Sequence, residues 1–167
     1  MEIIIKEIDL QEAGRKGAMP FLQVFIDAYN KLFVEDPTKE TLASLNGYQN
    51  TLLAFGIFRN EVHSGGFVQL IHNGYGPYIF DNPFARAIRE MGAGDLSKLI
   101  YAAKKIYDAR KNELEQEVEE EELCETYLEF EEFDVLDDKY IDMEDEQTMA
   151  IAEFVDEHID LFATIIK

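Results

Sequence analysis

The chain has 167 residues, 47% of them hydrophobic and 12% aromatic, with a formal charge of −20 and a single cysteine. That composition belongs to a folded domain and excludes a disordered acidic tail, while Cys124 alone excludes a disulfide framework or a multi-cysteine zinc site. The charge is segregated: residues 1–111 carry thirteen acids and thirteen bases, and residues 112–167 carry 22 acids against only Lys139 and Lys167, which argues against nucleic acid or an anionic membrane as a direct partner and for a basic protein. No apolar run approaches the roughly 18 residues of a membrane span, and "MEIIIKEIDL" lacks a signal peptide's basic start, so a cytoplasmic location is expected. The length suits one domain, residues 1–167, whose acidic C-terminal helical part is 112–167.

In chain order, "EIIIKEI" reads as a short strand or a helical turn. Pro20 at a first helical position opens a helix with Phe21, Val24/Phe25, Ala28 and Leu32 on one face. Asp36 as N-cap and Pro37 at N1 open the next, with Leu42, Leu45, Gln49, Leu52 and Gly56 on a shared face and Gly47 and Gly56 as points of close approach. Ser64-Gly65-Gly66 breaks that pattern, and a short helix from Phe67 ends at Asn73-Gly74. Asn82 and Pro83 restart a helix that buries Phe84, Ile88 and Met91 and stops at Gly92. Asp95 reads as the cap of a helix burying Leu96, Leu99/Ile100, Ala103 and Tyr107, with a basic last turn of Lys104, Lys105, Arg110 and Lys111.

Leu114 and Val118 continue this spacing, then Leu123, Tyr127 and Phe130, with Cys124 and Leu128 beside them, start a stripe about half a turn out of phase. A bend is therefore expected at Glu119–Glu122. The last helix is read as starting at "MEDEQ" (143–147) and burying Ile151, Val155, Ile159, Phe162 and Ile166 to the end. The fold expected from these signals is all-α, a compact single-domain bundle of about six to eight helices with an N-terminal strand as an option.

Motifs for bound groups fail on spacing. "DVLDDKYIDMED" (134–145) has Leu136 at the third position and Lys139 at the sixth, where a calcium loop needs an acid and a glycine. No histidine lies three residues after a glutamate, and "GAG" at 92–94 lacks a dinucleotide fingerprint's strand and third glycine, so no metal and no cofactor is expected. Cys124 lies among carboxylates that disfavour a thiolate. The run "EVHSGGFVQLIHNGYG" (61–76) reads first as a tight helical corner, with a polar ligand pocket of Ser64, Gln69, His72 and Asn73 as the competing reading.

The same run resembles the signature of a bacterial family of small acidic DNA-mimic proteins, long classed as a domain of unknown function, which reads N-G-G-F-x-Q-F-x-x-N-x-x-G followed by Gly-Ala. Gly65, Gly66, Phe67, Gln69, Asn73 and Gly76 are in register, Gly92-Ala93 resembles the later pair, Ser64 stands in place of the leading Asn and Leu70 in place of the aromatic. "FDVLDDKYIDMEDE" (133–146) looks like the family's acidic–aromatic segment, and the similarity spans roughly 40–162. The resemblance implies an all-α homodimer that occludes the DNA-binding face of a transcription regulator or nucleoid protein. The carboxylates expected to contact such a partner are Glu119, Glu120, Glu121, Glu122, Glu125, Glu129, Glu131, Glu132, Asp137, Asp138, Glu144, Asp145, Glu146, Glu153, Asp156, Glu157 and Asp160. An immunity-type protein neutralising a basic nuclease would use the same surface, and an enzyme or ligand-binding protein would use the 61–76 corner.

Overall fold

The computed structural model describes residues 2–33, 42–117, 119, 122, 125 and 129–167. The helix start expected at Asp36-Pro37 and most of the stripe from Val118 to Leu128 lie outside the described residues. The described elements are β1 (Ile4–Lys6), α1 (Glu7–Gly14), α2 (Ala18–Asn30), α3 (Gly47–His72), α4 (Gly76–Phe80), α5 (Phe84–Glu90), α6 (Gly94–Leu114), a 3-10 turn at Glu131–Phe133, α7 (Asp134–Glu157), a second 3-10 turn at Ile159–Leu161 and β2 (Thr164–Ile166). The fold is all-α apart from one two-stranded parallel sheet that joins the two ends of the chain, Ile4 opposite Thr164 and Lys6 opposite Ile166. Among the described residues no helix is long and apolar enough to cross a membrane.

Helix α3 is the axis of the bundle. It follows a turn at 43–46, which interrupts the face expected to run from Leu42 to Gly56, and it begins at a capping box: the Gln49 amide donates to Asn46 Oδ1 and the Asn46 amide to Gln49 Oε1, both at 2.9 Å. The same two side chains reach the C-terminal turn, Asn46 Nδ2 donating to Leu161 O at 2.8 Å and Gln49 Nε2 to Phe162 O at 3.0 Å. Close approach is needed at Gly56, where a Cβ would stand 2.9 Å from Ile26 of α2, but Gly47 has open space around it. Phe58 of α3 meets Phe67, Phe84 and Tyr140, and Phe67 stacks on Phe80 and Phe133. That aromatic cluster joins α3, α4, α5 and α7 in one core.

Several boundaries differ from the sequence reading. Helix α2 starts at Ala18, two residues before Pro20, and buries Leu22, Phe25, Ile26 and Tyr29, leaving Phe21, Val24, Ala28 and Leu32 half-buried. Asp95 does not cap α6. It pairs with Lys98 at 3.1 Å, and the Leu96 amide is taken instead by Gln147 Oε1 of α7 at 3.0 Å. A cap supplied from 51 residues away leaves no local trace in the sequence. Helix α7 starts at Asp134, so "MEDEQ" lies in mid-helix, and the expected stripe ends early: Ile151, Val155 and Phe162 are buried, Ile159 is partly covered and Ile166 is exposed in β2. At α5 the N-cap position falls on Pro83, one residue later than expected, and Asn82 just before it still accepts from the Phe84 amide at 2.8 Å.

Candidate functional site

Two groups of acids lie on opposite sides of α7. At 100° per residue, Asp134, Asp138, Asp142, Asp145, Glu153 and Asp156 share its outer side, with Glu146 and Glu157 on the flank, and all are exposed. Among the described residues none of these eight takes part in an ion pair. Several basic residues are engaged elsewhere, Lys104 and Lys111 with Asp81, Lys104 with Asp108, Arg110 with Glu113 and Glu132, and Arg86 with Glu90, while Lys139 is the one basic residue of α7 and is exposed. From Asp134 to Asp156 the row spans about 33 Å at the helical rise of 1.5 Å per residue.

Glu144 and Asp137, also expected to contact a partner, point inward. Glu144 is buried, with Arg59 Nε 2.6 Å and His63 Nε2 2.8 Å from its carboxylate and the Tyr140 hydroxyl at 3.3 Å. The Arg59 Nε–H is poorly aligned for a hydrogen bond, so that contact is an ion pair held by distance. Burial, and then Glu144, push the Tyr140 phenol up, so it stays a neutral donor. This cluster fixes the inner side of α7 to α3.

Asp137 explains the glycines of the 61–76 corner. Helix α3 is kinked at Gly65 and Gly66, and Gly66 has φ +73°. A Cβ there would lie 2.6 Å from the Asp137 Cγ. The space belongs to the Asp137 carboxylate, which accepts from the Phe67 amide at 2.9 Å and so caps the second half of α3 from α7. Burial raises the Asp137 pKa to about 6, against the lowering effect of the Phe67 amide and with help from Asp134 and Asp138. Phe67 is then sealed in the aromatic core.

The other corner residues form a surface ladder along α3. Gln69 Nε2 donates to Asn73 Oδ1 at 3.0 Å and Asn73 Nδ2 to Glu61 Oε2 at 2.7 Å, while Ser64 is exposed and His72 half-buried. Gly76 packs where a Cβ would stand 2.8 Å from the Tyr107 ring. The corner is thus used by the fold, as its first reading expected.

The remaining expected contacts are spread. Glu119, Glu122, Glu125, Glu129, Glu131 and Asp160 are exposed, as is Glu132 although it pairs with Arg110 at 2.9 Å, and Glu120 and Glu121 lie outside the described residues. Arg110 also donates to Glu129 O at 3.1 Å and lies 4.1 Å from the centre of the Phe130 ring, which is buried. It therefore ties this acidic stretch to α6. Sequence reasoning passed over Asp134 and Asp142 as contacts, although both continue the i, i+4 series through Asp138.

The acidic helix and the kink that Asp137 fills both fall inside a match to a known family. The sequence profile of the DMP19-like protein family matches residues 43–158. The chain is also 32% identical over 127 residues, 75% of its own length and 77% of the relative's, to the DNA mimic protein DMP19 of Neisseria meningitidis serogroup B (strain ATCC BAA-335 / MC58). With the match running from the capping box of α3 to the end of α7, the chain belongs to the DMP19-like protein family.

Proposed function

We propose that this protein is a DNA mimic that occludes the basic DNA-binding face of a transcription regulator or nucleoid protein, acting by binding alone. The observation that carries this reading is the outer row of α7: exposed carboxylates without ion pairs, on a helix whose inner side is fixed by buried contacts. Its length of about 33 Å is close to one turn of B-DNA, roughly 34–36 Å.

DNA-binding proteins gain affinity by neutralising phosphates with Lys and Arg and releasing counterions. A fixed row of carboxylates offers those cations the same field without a duplex. Successive carboxylates four residues apart stand about 6 Å apart along the axis, whereas phosphates of one strand rise about 3.4 Å each. One face of α7 therefore answers every second phosphate, and a second row is needed for DNA-like density. The acids of 134–146 and of the last turns cannot form two rows, since both lie on α7. Exposed Glu119, Glu122, Glu125, Glu129 and Glu131 are the remaining source.

The test is capture and competition. Immobilised protein is incubated with native-cell lysate, then washed with duplex DNA. Release of a bound DNA-binding protein by duplex, and loss of capture when Asp138, Asp142 and Asp145 are changed to Lys, is the expected result. Captured proteins that duplex fails to displace, or that the triple variant retains, would sink the proposal.

A further inference from the structure

Beside the acidic row, α1 and the start of α2 lie against the C-terminal half of α7 and leave an open groove of about 670 Å³. Its floor is apolar, made by Leu10, Phe21, Ala152 and Ile159, and Met149 stands half exposed at its edge. Its rim carries the carboxylates of Glu7, Glu153 and Asp156, all exposed, and among the described residues no basic one lines it. Glu153 and Asp156 belong to the α7 row, so the groove is continuous with that face. The side built from Glu7 to Phe21 lies outside the family match at 43–158.

We propose that this groove takes a large apolar side chain from an amphipathic helix of the basic partner, with flanking Lys or Arg side chains reaching Glu7, Glu153 and Asp156. The proposal rests on the reading of α7 as a face for a basic protein. Charge complementarity selects the occupant. A second copy of this chain would bring its own −20 to an acidic rim, whereas a cationic amphipathic segment satisfies rim and floor together. A purely charged face attracts any basic surface and loses its hold as salt rises, but an apolar anchor keeps its contribution in salt. The groove thus gives this mimic a preference among basic proteins that the charge row cannot supply.

The experiment uses two defined probes with the whole protein: an amphipathic helical peptide with Leu on one face and Lys on the other, and oligolysine of equal charge, both followed by fluorescence anisotropy. At about 0.3 M NaCl, where surface charges are strongly screened, the amphipathic peptide is expected to bind at least ~10-fold tighter than oligolysine. Gly14→Leu places a side chain in the groove, with its Cβ in ordinary contact 3.9 Å from the Phe21 ring and no positive φ to strain it. Gly14→Leu is expected to weaken the peptide by about tenfold while oligolysine at low salt is unchanged, and Met149→Gln to act in the same direction.

Equal binding of the two probes, or variants that weaken both alike, would overturn the groove proposal. Sedimentation showing a wild-type dimer that Gly14→Leu dissociates, with the peptide indifferent, would assign the groove to a second copy and also overturn it. If oligolysine fails at low salt while the peptide binds and responds to Gly14→Leu, the groove is supported and the charge-row reading falls.

Discussion

Gly66→Ala tests whether Asp137 makes the kink in α3. Gly66 sits at φ +73° and ψ −167°, a region open in practice to glycine alone, so any side chain there costs about 1–3 kcal/mol in backbone strain. The new Cβ would also stand 2.6 Å from Asp137 Cγ and displace the carboxylate, leaving the Phe67 amide without its acceptor. An unsatisfied, part-buried donor costs about 1–3 kcal/mol, so the single variant should lose roughly 2–6 kcal/mol. Asp137→Ala loses the same hydrogen bond but also releases a carboxylate from an unfavourable buried site, so it should cost only about 1–2 kcal/mol. The two losses share one event. In the Gly66→Ala background, Asp137→Ala should therefore cost almost nothing further, a coupling measured by urea unfolding at neutral pH followed by circular dichroism. Additive losses would refute the assignment of that space to Asp137.

Folding raises Asp137 from 3.8 to about 6, so its protonated form stabilises the fold: that contribution is present below about pH 4 and is lost as pH rises through about 6. The melting temperature of Asp137→Asn minus that of the wild type should accordingly rise from pH 4.5 to pH 7.5, and a difference that falls over that range would contradict the shift. Arg59→Met leaves Glu144 buried with only His63 and Tyr140, and since Arg59 is itself 30% exposed the loss should fall near the low end of the roughly 3–5 kcal/mol for breaking a buried pair, read by denaturant unfolding. Glu144→Gln should leave capture of a basic partner intact where Asp142→Lys weakens it, because only Asp142 lies on the outer row; equal effects in a pull-down would erase the distinction between the two sides of α7. Salt from about 20 to about 300 mM NaCl should raise the melting temperature by relieving repulsion along that row, whereas a flat response would mean the acids are already compensated.

What the sequence carried was whatever local chemistry decides. Asn82 at α5, Gly74 and Gly92 at helix ends and the buried face of α6 follow from caps and spacing, and the structure places them so. The Asn46–Gln49 capping box was equally local, but the continuous spacing of Leu42, Leu45, Gln49 and Leu52 hid the turn at 43–46 that precedes it. The rest depended on distant partners. Gln147 caps α6 and Asp137 caps the second half of α3, and neither residue advertises a role 51 or 70 positions away. For the site, the charge segregation was visible, but which acids face outward was not, because Asp137 and Glu144 look like any others until α3 supplies Phe67, Arg59 and His63.

The two sides of α7 belong to one design argument. A carboxylate row imitates phosphate only if its spacing is held, and self-repulsion works to bend or fray the helix that bears it. Three contacts on the inner side oppose that tendency at separate heights: Asp137 on the Phe67 amide, Glu144 between Arg59 and His63, and Gln147 on the Leu96 amide. Each uses a polar side chain to fix position, where an apolar residue would have offered only packing. The fold thus spends α7's inward polar side chains on register, while the cations of α6 pair with Asp81, Asp108, Glu113 and Glu132 away from the row. Neutralising the outer row from within would relieve its self-repulsion and remove the field proposed above to draw a basic partner. The charge imbalance of the C-terminal third is set by its composition, 22 acids against Lys139 and Lys167, and the fold leaves it standing along α7 because Lys104, Arg110 and Lys111 pair with carboxylates off that row.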